Sequence, residues 1–196
     1  MGTTFDVTKT QKNAGKIWFG LAIPAASAYL TIGSDGTPDA TENPNAKLIG
    51  LTEKGSMIGM TKTFTEEFYD EFKYALERNL DQIGATIKTE AAQVLDEDLL
   101  TLATVGVGSP LTPTGKKAWT LGESELSFTS IAVIAPTKAD KGRYVVFHLY
   151  KAYNNAAFDM TVSRQERAKL PLEFIGVAIP TRAATDTTGA FWYETS

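Results

Sequence analysis

The feature that most constrains this chain is a succession of short segments rich in β-branched and aromatic residues, each cut off by turn-forming residues. The clearest are Leu126–Pro136 (LSFTSIAVIAP), Arg143–Ala152 (RYVVFHLYKA), Phe158–Ser163 (FDMTVS) and Leu170–Pro180 (LPLEFIGVAIP). Each is made of residues that suit a pleated, half-buried surface. Gly, Pro, Asn and Thr clusters between them supply the reversals that an antiparallel sheet needs. After the polar turn Thr181–Ala190, Phe191-Trp192-Tyr193 offers a last strand. The chain is therefore expected to be mainly β.

The first half follows the same grammar. Lys16–Ile23 reads as a strand, broken at Pro24 from a second extended stretch, Ser27–Ile32. Gly33–Ala46 (GSDGTPDATENPNA) is a loop, with two Gly, two Pro, two Asn and three acids. Lys47–Thr52 reads as a short strand, Glu53-Lys54-Gly55 as a turn, and Ser56–Met60 as its continuation. Leu80–Thr89 alternates around Ile83, Ala85 and Ile87, opposed by Gln82, Thr86 and Lys88, which is the pattern of a half-buried strand. Thr61–Ala75 fits either period, because Phe64, Phe68, Phe72 and Tyr74 lie at i, i+4, i+8 and i+10 and are also all even-numbered. Glu90–Thr104 is the best helix, with Val94, Leu95, Leu99 and Leu102 on one face. Val105–Lys117 is a second Gly/Pro loop, and Met1–Gly15 is a polar N-terminal arm. The expected architecture is a β-sandwich or partial barrel over 16–196 with one flanking α-helix.

Composition narrows function mainly by exclusion. The 196 residues include no cysteine and one histidine, so thiolate chemistry and cysteine-ligated metals are out and a zinc site lacks its usual ligands. The single histidine, His148, falls on the Val146 and Tyr150 face of its strand and reads as a hydrogen-bonded core residue rather than a catalytic base. Gly106-Val107-Gly108 and Thr114-Gly115-Lys116 lack the remaining glycines of nucleotide-binding loops. A net charge of −4 argues against a dedicated nucleic-acid binder, whose affinity comes from neutralised phosphates. No apolar run reaches the roughly 18 residues of a membrane span, and the polar first residues lack a signal peptide's apolar stretch. An enzyme is not expected, nor any cofactor, metal or small-molecule substrate.

The stretch 48–108 resembles the tail tube (major tail) proteins of tailed bacteriophages. The likeness rests on the turn Ile49-Gly50-Leu51-Thr52-Glu53-Lys54-Gly55, a following acid- and aromatic-rich stretch, the segment Asp81-Gln82-Ile83-Gly84, and the amphipathic stretch Val94–Leu102. In the second half, Phe147–Ala152, the polar Ser163–Lys169 and Leu170-Pro171-Leu172-Glu173-Phe174 continue it. Residues 1–15 and 33–46 match nothing in the family pattern. The resemblance implies a β-sandwich with a flanking helix, six copies to a ring, and rings stacked into a hollow tube that conducts DNA into a host. It implies tape-measure and tail terminator or tip proteins as further partners, and a place in the virion tail after assembly in the bacterial cytoplasm. It also tips Thr61–Ala75 towards strand, and it marks Gly50, Thr52 and Gly55 as the family turn.

A conduit for DNA must not retain it, so an acidic wall that repels phosphates suits the task. Glu66, Glu67, Asp70 and Glu71 are the candidate lumen-facing acids. The arm and the loops 33–46 and 105–117 are candidate connectors between copies. Two other readings stand beside this one: a type VI secretion-like tube carrying protein effectors, and a β-sandwich binding module using its aromatic residues.

Overall fold

The computed structural model describes residues 15–50, 52–67, 77–91, 101–102, 126–137, 143–156 and 169–194. They form one antiparallel sheet of eight strands: β1 (Lys16–Phe19), β2 (Lys47–Leu48), β3 (Thr52–Glu67), β4 (Glu77–Ala91), β5 (Thr129–Pro136), β6 (Tyr144–Asn154), β7 (Leu170–Gly176) and β8 (Gly189–Tyr193). The order across the sheet is β2-β1-β5-β6-β7-β4-β3, with β8 also paired to β6. The mainly-β expectation holds. Among the described residues there is one sheet rather than two stacked ones, and it is not closed. The reason lies in β6, which is 11 residues long. It pairs along one edge with β5, and along the other with β8 over Val145–Leu149 and then with β7 over Ala152–Asn154. That one strand ties both halves of the chain into a single sheet.

A bulge marks the change of partner. Thr129 pairs with Ala152 but Ile131 pairs with Leu149, so β6 carries one extra residue there. A bulge reverses which face later residues occupy. Upstream, Phe147 and Leu149 belong to one apolar cluster; downstream, the even-numbered Ala152 joins that same cluster. It draws on β1, β4, β5, β6 and β7 through Ile17, Ile87, Ile131, Leu149, Leu170 and Phe174, and Leu102 packs against it. The opposite face carries a second cluster of Leu21, Leu30, Ala132, Ile134, Tyr144 and Val146. β5 is buried on both faces, which is why its sequence reads as an apolar run rather than an alternation.

Several boundaries differ from the sequence reading. The first strand stops at Phe19, because Gly20 turns the chain at φ 70° and an added Cβ would lie 2.7 Å from the Asn45 carbonyl oxygen. Ser27–Ile32 is not a strand: Leu30 drops into the second cluster and only Ile32 makes a bridge, to Pro38. The loop 33–46 is folded against the sheet. Asp39 caps its own turn through Thr41 and Glu42, Asn43 Oδ1 accepts from Ala22 N–H, and the Tyr144 hydroxyl donates to the Ser34 carbonyl. The strand read at 47–52 is only Lys47–Leu48. Glu53-Lys54-Gly55 does not reverse the chain. It bulges within β3, where Thr52 pairs with Ala91 and Ser56 with Thr89. Glu90 and Ala91, read as the start of the helix, end β4 instead. Of that helix, Thr101 and Leu102 are helical; 92–100 and 103–104 lie outside the described residues. So do 1–14, the loop 105–117 and the strand read at 158–163.

Candidate assembly edge

The longest strands sit at the margin of the sheet. β3 has 16 residues and β4 has 15, paired from Thr52–Ala91 to Glu67–Glu77. β7 pairs with β4 only over Thr86–Ala91. From Ala85 to Glu77, β4 is therefore joined only to β3 among the described residues, and the pair continues as a two-stranded ribbon. Among the described residues β3 is the outermost strand, and no described strand faces its outer backbone groups. Met57 and Met60 are each 61% exposed and Ile58 is 42% exposed. An edge of this length with exposed apolar side chains invites another strand.

The ribbon's two faces differ. Ile58 pairs with Ile87 and Met60 with Ala85, so the apolar cluster's face runs out to the open edge. On the other face Gly59 opposes Thr86 and Thr61 opposes Gly84. A Cβ on Gly59 would lie 2.7 Å from Thr86 Oγ1, and one on Gly84 would lie 2.5 Å from Thr61 Oγ1. This face stays low because each threonine fills the space its glycine leaves.

The residues singled out from the sequence fall mostly on this ribbon. Gly50 and Gly55 both adopt left-handed backbone, at φ 48° and 77°. Nothing lies within 4 Å of an added Cβ on Gly55, so glycine is needed there for the backbone alone. Thr52 opens β3, opposite Ala91. Thr61–Glu67 is strand, as the resemblance implied. Glu66 stands opposite Arg78 and Glu67 opposite Glu77, near the end of the described ribbon. Asp70 and Glu71 lie outside the described residues. The segment Asp81-Gln82-Ile83-Gly84 carries the second irregularity: Thr63 pairs with Gln82 and Phe64 with Leu80, leaving Asp81 as the extra residue.

A polar network lies at the centre of the sheet, and sequence reasoning found only its histidine. His148 Nε2 and Ser130 Oγ share a 2.7 Å hydrogen bond, with both residues buried. Burial, with the nearby Arg182 guanidinium, pushes the imidazole down to about 4. The ring packs edge-on against Tyr150, whose hydroxyl donates to Asp186 Oδ1 at 2.8 Å. Burial and that partner push the Tyr150 phenol up to about 12. Burial pulls the Asp186 carboxyl up, but the bonds from Tyr150 and Arg182 and the Arg182 charge outweigh it and hold it below the usual range. Arg182 stacks on the Tyr150 ring, pairs with Asp186 at 2.5 Å and donates to the Pro24 carbonyl at 2.7 Å. Ser130 and His148 have the spacing of a nucleophile and its base, yet neither is accessible to a substrate and the ring is held neutral. The Asp186 carboxylate is turned to Tyr150 and Arg182, not to the imidazole. The network fastens the C-terminal segment to β6 and to the 24–25 turn. Arg182 and Asp186, four apart in a polar turn, were the available sequence signal.

A groove of about 480 Å³ beside β3 is lined by Met57, Lys88, Thr89 and Glu173, and the Lys88 ammonium is already paired with Glu173 at 2.6 Å. Among the described residues no group of three or more His, Asp or Glu is placed to hold a metal ion, and no helix is long and apolar enough to cross a membrane.

No protein-family model matches the chain, and no curated protein matches it.

Proposed function

We propose that this chain is the structural subunit of a bacteriophage tail tube, self-assembling into stacked hexameric rings around a conduit for DNA. The observation that carries the reading is the β3 edge: sixteen residues of outermost strand with Met57, Ile58 and Met60 exposed along it. A lone sheet with such an edge is a hazard in solution and an asset in a ring, where a neighbour's strand satisfies it. The family resemblance of 48–108 supplies the rest, and two of its motifs, the 49–55 turn and Asp81-Gln82-Ile83-Gly84, coincide with the two irregularities of the β3–β4 ribbon. In the ring, the sheets of neighbouring copies join into the lumen wall, with the flanking helix that the family implies.

Glu66, Glu67, Asp70 and Glu71 belong to the part of the chain that lines or borders the lumen. Their carboxylates repel phosphate and leave the duplex free to slide. Tape-measure and terminator or tip proteins bound the tube in the virion tail, which is assembled in the host cytoplasm. Negative-stain electron microscopy of concentrated protein tests the reading. Hollow tubes with six-fold end views are expected; solid filaments or featureless aggregates would overturn it.

A further inference from the structure

The sheet splits at one point, and the split exposes a second edge. β7 ends at Gly176, where an added Cβ would lie 2.8 Å from Thr188 Cγ2, 3.1 Å from Leu149 Cδ2 and 3.3 Å from the Ala85 carbonyl oxygen. β8 begins there and takes over the edge of β6 that β7 has left. The Tyr150 N–H donates to the Thr188 carbonyl and the Glu194 N–H to the Tyr144 carbonyl. These bonds set the parity of the ladder. Even-numbered residues of this segment bond to β6, and the N–H and C=O of Gly189, Phe191 and Tyr193 point outward. Among the described residues, no strand pairs with that outer edge. Phe191 is 63% and Tyr193 53% exposed.

β8 (GAFWY) carries no charge, proline or bulge, which are the usual devices that keep an edge from pairing. β3 between Gly55 and Thr61 carries none either. Water satisfies an exposed ladder in the monomer, and another extended chain can replace that water along the whole edge. We propose that the outer edge of β8 receives β3 of a second copy, an assignment that rests on the ring-forming reading above. Pairing β3 with β3 would close at two copies and leave both β8 edges uncovered. Pairing β3 with β8 covers the outer edges of these two strands, leaving the inner edge of β4 from Glu77 to Ala85, and repeats head to tail, which is the condition for a ring. The side chains agree: Ile58 and Met60 lie on the first cluster's face, as do Phe191 and Tyr193, while Met57 lies on the other face with Trp192, so thioether and β-branched groups meet aromatic rings on both.

The chain has no cysteine, so engineered thiols report contacts between copies without background. Full-length Ile58→Cys and Phe191→Cys proteins are concentrated separately and as an equimolar mixture, oxidised, and run without reductant beside micrographs of the same samples. A disulfide dimer is expected in the mixture and not in either variant alone. The double variant should give a ladder of covalent oligomers. Met60→Cys in place of Ile58→Cys covers a shifted register. Dimers from Ile58→Cys alone, with none added by mixing, would overturn the assignment in favour of β3 with β3. Rings or tubes without cross-links would overturn it and leave the tube reading standing. Neither assembly nor cross-links would sink both. A separate variant, Phe191→Pro, removes an outward N–H while the even-numbered bonds to β6 remain. Its assembly concentration should rise at least tenfold with the thermal midpoint little changed; assembly at the original concentration would contradict the assignment.

Discussion

The centre of the sheet and its β3–β4 margin are built from the same alternating pattern to opposite ends. In β5 and β6 both faces are covered, and polar groups such as Ser130 and His148 are bonded to each other. In β3 the alternation continues past the point where any described strand covers it, leaving Met57, Ile58 and Met60 exposed. The difference teaches that periodicity specifies strands while neighbours decide whether a strand is core or edge. It also separates two kinds of mutation: those that cost the fold and those that cost only association.

The largest expected effect is in the centre. Phe174→Ala empties a fully buried site in the cluster shared by five strands and should destabilise by about 3–5 kcal/mol in chemical denaturation. A loss below about 1 kcal/mol would show that the face is less tightly packed than its burial implies.

The next concerns acid. The His148 imidazole sits at about 4 in the fold against its ordinary 6.5, so the unfolded chain binds the proton more readily between those values. Stability is therefore full above pH 6.5 and falls as pH drops towards 4. The shift corresponds to roughly 3 kcal/mol, as an order of magnitude. His148→Gln should flatten the curve in that window, whatever its own stability; an unchanged slope would assign the acid response to other groups.

Arg182→Ala should cost roughly 2–3 kcal/mol, because it strips a partner from Asp186 and from the Pro24 carbonyl in a mostly buried position. Hydrogen exchange should show β8 loosening first, since Arg182 fastens the segment that leads into it.

The smallest effect on stability is expected at the margin. Met57→Ser with Met60→Ser should change the monomer's stability by no more than about 0.5 kcal/mol. The same pair should abolish assembly in sedimentation, which would sharpen the contrast between margin and centre.

Much of this was legible beforehand, and the misses have physical causes. The alternation of Ala85 and Ile87 against Thr86 and Lys88 placed β4 correctly, because one of its faces is covered and the other is not. His148 was legible as a bonded core residue from its place among Val146 and Tyr150. Gly55 was legible as a special backbone position, but not as a bulge, since a left-handed glycine serves a reversal and a bulge alike. The 33–46 loop carried turn residues in abundance, but its folding depends on Asn43 and Tyr144 partners distant in sequence. The open edge of β8 had no local signature at all. It exists because a bulge in β6 hands one edge from β8 to β7, and no window around Phe191 contains that information.

The central claim is that copies of this chain join through strand edges. Backbone hydrogen exchange, compared between dilute monomer and assembled particles, tests it most directly. The amides of β3 from Ser56 to Thr63 should exchange quickly on its outer edge in the monomer and become strongly protected on assembly, with those of Phe191 and Tyr193 following. Assembled particles in which the β3 outer amides exchange as fast as in the monomer would contradict the account.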